Sequence, residues 1–364
     1  MKQKNNFNLA FMATSFGLLV VVATLNFIFD GDSLYLKRFT QSEITAFSDP
    51  KVFAITELNI DERVLKKQIL STLSKRQKPD CVFLGSSRAM LISTIYGTAP
   101  KNCTTGINLA LSGAGVEDVV LMAYYLAALP KQQHPEVIYI GLSHWSFRWG
   151  AEESWKVLSN DFDDALQFFT GQTASFEIPD SSLLINLLSF DYLLHSIERF
   201  VKNGFSLRVV PFKSIHHYFV PAHAPASSSI LKDGSRLYSK EQRMKHGLKP
   251  ATGLENYKIS QQIPDESVYE MYMNIARHFD TIGIETVFFA LPFHSTNTKV
   301  DAALFSNIME AQKFVDIRFG GADFSMRGAF LMDRTPCNDG EMLDFMHPSR
   351  NCVEKILKST GIKP

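Results

Sequence analysis

The sequence lacks any excess of charge of one sign. Its 37 Lys and Arg residues balance 37 Asp and Glu residues, so the formal net charge is zero. Nucleic-acid-binding proteins usually carry a basic patch or a positive net charge, and no dense basic cluster is present, so we expect no nucleic-acid partner. With 45% hydrophobic and 20% charged residues among 364, the composition also excludes a disordered, collagen-like or coiled-coil chain.

Cysteine is scarce as well. Four cysteines are too few for a small disulfide-dense scaffold, and no CxxC pair of the kind that holds structural zinc occurs. The histidines His216, His217 and His223 lack the H-E-x-x-H pattern of metalloproteases. We therefore predict neither a metal site nor a cofactor.

Long hydrophobic runs are absent except for one near the N-terminus. Leu9–Phe29 contains no charged residue, and about 20 apolar residues suffice to cross a bilayer as a helix. The apolar core of a cleavable signal peptide is shorter, and no A-x-A-like cleavage site precedes Asp30. This run predicts an uncleaved transmembrane anchor over residues 9–29.

Flanking charge does not orient this anchor. Lys2 and Lys4 on one side are matched by Lys37 and Arg38 on the other, so the positive-inside comparison is a tie. The most apolar later stretch, 181–200, is interrupted by polar and charged residues. We expect a single-pass protein.

The rest of the chain has the rhythm of an α/β fold. Five apolar runs bounded by turn residues are predicted strands: CVFLG (81–85), GINLAL (106–111), EVIYIGL (136–142), ETVFFAL (285–291) and, weakest, FVDIRF (314–319). Helices are predicted at Val116–Leu129, Glu266–Ile282 and Pro348–Thr360. Near-continuous apolar strands indicate a parallel sheet of about five strands with helices on both faces.

The predicted organisation has four parts and one insertion: a tail (1–8), the anchor (9–29), a juxtamembrane segment (30–78) and a globular body (79–364) with an inserted subdomain (143–264) after its third strand. The part of the insertion from 223 to 262 is polar, so we expect loops there, with a turn at Asp233-Gly234. The insertion opens with Trp145, Trp149 and Trp155, which suit its core, a glycan-stacking surface or membrane contact.

The residues directly after the predicted strands are the first place to look for chemistry. GSSR (85–88) follows the first strand, and a serine beyond a glycine at a strand-to-helix turn is a nucleophile position. Near the C-terminus, Asp344-Phe345-Met346-His347 offers a general base and a carboxylate that orients it.

These segments, with the pattern N-x-x-x-S-G at 108–113, resemble the SGNH/GDSL hydrolase superfamily. The resemblance implies a flavodoxin-like three-layer α/β/α fold. It also implies that Ser87 is the nucleophile, with Ser86 in place of the motif's aspartate, and that His347 is the base oriented by Asp344. The backbone N–H groups of Ser87 and Gly113 would form the oxyanion hole.

The third block departs from the superfamily. Its pattern G-x-N-D supplies an asparagine to the oxyanion hole, but this sequence reads Gly141-Leu142-Ser143-His144. We expect Ser143 to substitute through its hydroxyl group. With the anchor, the degenerate block resembles the envelope branch, which transfers acyl groups on polysaccharides and teichoic acids.

This resemblance implies a body outside the cytoplasmic membrane, a cell-surface glycan substrate, O-acetyl transfer, and a multi-spanning membrane partner that donates the acyl group. Two alternatives stay open: a non-catalytic glycan-binding or assembly protein with a degenerate site, and a carbohydrate or lipid esterase.

Further candidates surround this predicted site. Substrate contacts are predicted for four residues: Arg88, His144, Trp145 and His294. The glycines at 113 and 115 do not continue into a dinucleotide fingerprint, because the next helix begins with acidic residues. In an oxidising compartment the cysteines are predicted to pair as Cys81 with Cys103 and Cys337 with Cys352, the alternative being buried thiols.

Overall fold

The structure is a computed structural model. It describes residues 2–29, 54–56, 61–75, 77–150, 154–171, 187–190, 193–194, 197, 201, 215–217, 229–238, 265–290, 331–332 and 347–359. The helices, in chain order, are α1 (Lys2–Phe29), α2 (Glu62–Leu73), α3 (Val116–Ala127), α4 (Ser159–Thr170), α5 (Glu266–Thr281) and α6 (Arg350–Ser359). The strands are β1 (Ala54–Thr56), β2 (Cys81–Leu84), β3 (Gly106–Asn108), β4 (Val137–Leu142), β5 (Ile215–His217), β6 (Ser229–Leu231), β7 (Arg236–Leu237), β8 (Glu285–Ala290) and β9 (Leu331–Met332).

A parallel sheet with the strand order β3–β2–β4–β8 forms the centre of the body. Val82 of β2 lies opposite Ile107 of β3 and Ile138 of β4. Every residue of these three strands is buried, as expected for apolar strands covered on both faces. The predicted α/β class and four of the predicted strands are confirmed. The predicted strand at 314–319 lies outside the described residues, and the short β9 pairs with the end of β8.

The three helix predictions are also confirmed, because each end of each helix lies within two residues of the predicted end. α3 and α5 match the apolar periodicity of their segments, and α6 lies within the helix predicted near the C-terminus. α1 contains a stretch, Phe11–Phe29, that is long and apolar enough to cross a membrane.

α2 belongs to the core of the body, although its sequence lies within the predicted juxtamembrane segment. Leu65, Ile69 and Leu70 on one side of this helix are buried in the same core as the central sheet. The helix begins at an N-cap, Asp61, whose side chain accepts a hydrogen bond from the backbone N–H of Arg63 at 2.7 Å.

A second, antiparallel sheet has the strand order β5–β1–β6–β7. Its strand β1 comes from the segment between the anchor and the body, whereas its other strands come from the predicted insertion. This sheet therefore ties the chain before the body to the insertion.

The expectation of loops without core is wrong for residues 229–238. These residues form the hairpin of β6 and β7, in which Ile230, Leu231 and Leu237 are buried. The turn predicted at Asp233-Gly234 is confirmed, since the N–H of Gly234 donates to the carbonyl of Leu231 at 2.8 Å. Polar residues can be buried here because their partners lie in the body. The Asp233 carboxylate accepts from the Ser93 hydroxyl at 2.7 Å and from the Thr94 N–H at 3.0 Å.

Lys66 fastens this hairpin to the central sheet. Its buried Nζ donates to the carbonyl oxygen of Asn108 at 2.8 Å and to that of Gly234. Gly234 has φ +84, and a Cβ there would overlap the carbonyl oxygen of Asn108. Burial lowers the pKa of Lys66 from 10.5 to about 8, although the nearby carboxylates of Glu62 and Asp233 act to raise it.

We expect Lys66 to make the stability of the body increase with alkaline pH. Between pH 8 and 10.5 the unfolded chain keeps the Lys66 proton that the folded chain releases, so the free energy of unfolding rises by about 3 kcal/mol over this interval. Thermal unfolding between pH 7.5 and 10.5 should show this rise in the wild type relative to Lys66→Met. The exposed Lys78→Met serves as the control, and parallel pH profiles for wild type and Lys66→Met would contradict the assignment.

Candidate active site

The candidate nucleophile lies where the direction of strand addition changes. β3 and β4, which follow β2 in the chain, lie on opposite sides of it, and ligands of doubly wound sheets bind at such a switch point beyond the carboxyl ends of the strands. Gly85, directly after β2, has φ +131, and a Cβ there would come within 2.7 Å of the carbonyl oxygen of Gly141 in β4. Glycine therefore lets the turn after β2 approach the end of β4.

A side chain of β3 holds the turn that carries Ser87 in place. It continues as a short 3-10 helix, Ala89–Leu91, whose first N–H donates to the carbonyl of Ser86 at 2.9 Å. The buried Asn108 amide donates to the carbonyls of Ala89 at 2.9 Å and Ile92 at 2.8 Å. This supporting role of Asn108 was not predicted from its motif; the available signal is a polar side chain at the end of a buried strand.

Ser87 and His347 meet, although 260 positions separate them in the chain. Ser87 Oγ lies 2.7 Å from His347 Nε2, and both groups are partly buried. This distance is within the range for proton transfer between a nucleophile and a general base. The Tyr238 ring lies 6.0 Å from the imidazole, centroid to centroid. Asp344, the predicted orienting carboxylate, lies outside the described residues.

Ser143 directly follows β4 and lies beside the turn of Ser87. Its Oγ lies 3.5 Å from Ser86 Oγ and 3.4 Å from the Nη1 of Arg88. Arg88, predicted as a substrate contact, is only 2% exposed, so its guanidinium contacts the protein interior next to Ser143. This pairing of Arg88 with Ser143 was not predicted.

Three side chains fix the loop that carries Gly113, the predicted oxyanion donor, which has φ +59. The Glu62 carboxylate accepts from the N–H of Ser112 at 2.7 Å. Arg63 donates to the carbonyl of Ser112 at 3.1 Å, and Arg236 donates to its hydroxyl at 2.7 Å. The loop is therefore bound to α2 on one side and to the β6–β7 hairpin on the other.

A buried ion pair supports this arrangement. The Arg63 guanidinium donates to both carboxylate oxygens of Asp118 in α3, at 2.7 and 2.9 Å. Burial raises the pKa of Asp118 although Arg63 opposes the shift. Burial would lower the pKa of Arg63, but the hydrogen bonds to Asp118 raise it. The acidic start of α3 thus serves internal packing.

The remaining predicted contacts are only partly described. Trp145 Nε1 donates to the carbonyl of Ala114 at 3.1 Å, which joins the loops after β3 and β4. His144 begins a 3-10 helix, but its side chain lies outside the described part of the chain, as does all of His294. Trp155 is buried against Phe162, with 4.5 Å between ring centroids.

One of the two predicted disulfides is present among the described residues. Cys81 and Cys103 are bonded, with 5.6 Å between their Cα atoms. Cys352 is disulfide-bonded as well, while Cys337, its predicted partner, is not among the described residues. Within the described residues, no group of three His, Cys, Asp or Glu side chains is placed to hold a metal ion.

Comparison with known proteins returns no match, neither to a protein-family model nor to a curated protein.

Proposed function

We propose that the chain is a membrane-anchored serine acyltransferase or esterase of the SGNH type that acts on cell-envelope glycans, with O-acetyl transfer as its main reaction. The observation that carries this proposal is the 2.7 Å contact between Ser87 Oγ and His347 Nε2. A serine hydroxyl bonded to an imidazole at the carboxyl edge of a parallel sheet is the arrangement that nucleophilic acyl transfer requires.

The strand order supports the proposed three-layer SGNH fold. In chain order the strands of this sheet are β2, β3, β4 and β8. β3 lies on one side of β2, and β4 and then β8 lie on the other side. This is the order of flavodoxin-like sheets, whose ligands bind between the first and third strands. Ser87 and Ser143 follow those two strands here.

In the proposed mechanism His347 Nε2 accepts the proton of Ser87 while Ser87 Oγ attacks the carbonyl carbon of an acyl ester. The N–H groups of Ser87 and Gly113 donate to the resulting oxyanion, and Asp344 orients the imidazole. His347 then protonates the leaving alcohol, and an acyl-enzyme remains. A glycan hydroxyl, deprotonated by His347, takes the acyl group from Ser87; water in its place gives an esterase.

Arg88 and Ser143 replace the missing third-block asparagine in this proposal. Arg88 donates to Ser143 Oγ at 3.4 Å, which leaves the Ser143 proton for donation to the oxyanion. The guanidinium is almost fully buried, and a charge that is shielded from water acts more strongly on a developing anion.

We expect Ser143→Ala to lower kcat by about 10²- to 10³-fold with little change in KM, as for loss of an oxyanion-hole donor. Arg88→Met should have a similar effect, and the double variant should be no worse than the stronger single variant, because both residues act through one hydroxyl. Steady-state kinetics of the three variants test this, and additive losses would contradict it.

The proposed location is the outer side of the cytoplasmic membrane, with residues 1–8 in the cytoplasm and α1 as the anchor. The Cys81–Cys103 disulfide supports an oxidising compartment. Because acyl thioesters are made in the cytoplasm, a multi-spanning membrane partner that passes the acyl group outward is part of the proposal.

Turnover of a chromogenic aryl acetate by the full chain in detergent, with and without an envelope polysaccharide, tests the function. A transferase releases the aryl alcohol faster when glycan is present and leaves acetyl groups on it, which mass spectrometry detects. Release that ignores the glycan identifies the esterase alternative. No release above the rate of Ser87→Ala under either condition would overturn the enzyme proposal in favour of a glycan-binding module.

A further inference from the structure

We propose that the described residues between 187 and 201 form a second membrane contact, which lies in the bilayer interface beside the end of α1. It presents an exposed apolar stripe made of Phe190, Leu194 and Val201. This proposal concerns how the body is held at the membrane and goes beyond the proposed acyl-transfer function.

The first observation is the contact between this segment and α1. The Asn26 amide of α1 donates to the carbonyl of Leu187 at 2.8 Å and to that of Ser189 at 2.9 Å. Asn26 and Val22, one turn apart, are buried, whereas most of the described side chains of α1 are exposed. The segment therefore contacts α1 near its C-terminal end.

The depth of this contact follows from helix geometry. Asn26 precedes the last residue of the apolar stretch, Phe29, by three residues, which at a rise of ~1.5 Å per residue is about 5 Å along the helix axis. Interfacial helices bury their apolar faces about 5–10 Å into the boundary between headgroups and acyl chains. The carbonyls of Leu187 and Ser189 thus lie at the depth of such a helix if α1 crosses the bilayer.

The second observation is the pattern of exposure. Phe190 and Leu194 are 54% and 63% exposed, and Val201 is 46% exposed. The described residues at 190, 193–194, 197 and 201 are helical, and the N–H of Leu193 donates to the carbonyl of Ser189 at 3.1 Å. The positions 190, 194, 197 and 201 are separated by four, three and four residues, and this spacing puts their apolar side chains on one helical face. Leu193 is buried.

The sequence between these positions completes the pattern. In the sequence, four polar residues alternate with the apolar ones: Asp191, His195, Glu198 and Arg199. Such alternation is typical of an amphipathic segment. A helix with one apolar and one charged face suits the membrane interface. An apolar stripe on a segment that is hydrogen-bonded to a membrane-crossing helix is best covered by the same bilayer, so lipid is the occupant that we assign.

Depth-dependent fluorescence quenching tests this assignment in the full chain reconstituted into lipid nanodiscs. Single variants Phe190→Cys and Leu194→Cys carry an environment-sensitive thiol dye, and labelling of the parent chain gives the blank. The matched control is Phe168→Cys, since Phe168 is an apolar residue on α4 with a similar exposure of 44%. Phe16→Cys within α1 reports whether the anchor has entered the bilayer.

We expect shallow spin-labelled lipid to quench the dyes at 190 and 194 at least threefold more than the dye at 168, and aqueous iodide to do the reverse. Quenching equal to that at 168 would overturn the proposal. Protection from iodide without quenching by lipid would assign the stripe to a protein partner or second copy and would also overturn it. If Phe16→Cys is not quenched by deep spin-labelled lipid, the anchor fails and the proposal fails with it, independently of catalysis.

Discussion

Ser87→Ala lowers kcat for acyl-ester turnover by at least about 10³-fold and leaves only the residual rate that the oxyanion hole and substrate binding sustain without a nucleophile. His347→Ala lowers kcat by about 10²- to 10⁴-fold, because the 2.7 Å contact that accepts the Ser87 proton is removed. Both effects should fall on kcat rather than KM, since these groups act on the reacting atoms and not on the rest of the substrate. Initial rates of aryl acetate hydrolysis by the full chain measure them.

The matched controls are a serine and a histidine outside the site. Ser71→Ala removes a hydroxyl that donates to the carbonyl of Gln68 within α2, and His134→Asn alters an imidazole that contacts the carbonyl of Leu129. Both controls should keep wild-type kcat. The mechanism would be contradicted by a Ser87→Ala variant that turns over the ester at a rate close to the wild type.

Asp118→Ala should destabilise the body by about 3–5 kcal/mol, because it leaves the buried Arg63 guanidinium without its carboxylate. At roughly 2–4 °C per kcal/mol for a body of this size, the melting temperature should fall by about 6–20 °C. The loop of Gly113 should loosen at the same time, since Arg63 also donates to the carbonyl of Ser112. Differential scanning fluorimetry in detergent measures the shift.

An exposed ion pair provides the comparison. Arg277 and Glu270 lie 3.8 Å apart on the surface, with about half of each side chain exposed, and Glu270→Ala should change stability by at most about 1 kcal/mol. The double variant Arg63→Met/Asp118→Leu should be more stable than Asp118→Ala, because no buried charge is left unpaired. Equal melting temperatures for Asp118→Ala and Glu270→Ala would show that the buried pair does not support the fold.

The main helices and the central strands could be predicted because their signals are local. The apolar runs of β2, β4 and β8 are near-continuous, and α3 and α5 show helical periodicity from their first turn. α2 carries a similar signal, with an Asp N-cap and buried residues one turn apart. This helix lies within the segment that is predicted to be juxtamembrane, before the first strand of the central sheet.

The hairpin of residues 229–238 could not be predicted from local composition. Asp233 and Ser235 suggest an exposed loop, but Asp233 is buried and also bonds Ser93 and Thr94, about 140 positions away. An Asp-Gly turn between short apolar stretches was the available hairpin signal. Lys66 was missed for the same reason, since its buried ammonium is stabilised by carbonyls from β3 and from this hairpin.

Within the candidate site, the resemblance assigned Ser87 and His347 their roles, and the structure brings the two side chains together. The environment of Arg88 could not be read from the chain, because an arginine that follows a nucleophile position suggests a solvated side chain or an anion contact. Its burial against Ser143 depends on how closely the turn after β2 approaches β4, which the glycines at 85 and 141 permit.

Reaction of the full chain with a fluorophosphonate tests the central claim most directly, because such a reagent phosphonylates only an activated serine and releases fluoride. The account predicts one adduct per chain, located at Ser87 by tandem mass spectrometry, absent in Ser87→Ala, much slower in His347→Ala and unchanged in Ser71→Ala. A chain that stays unmodified, or that is modified at another serine while Ser87 stays free, would contradict it.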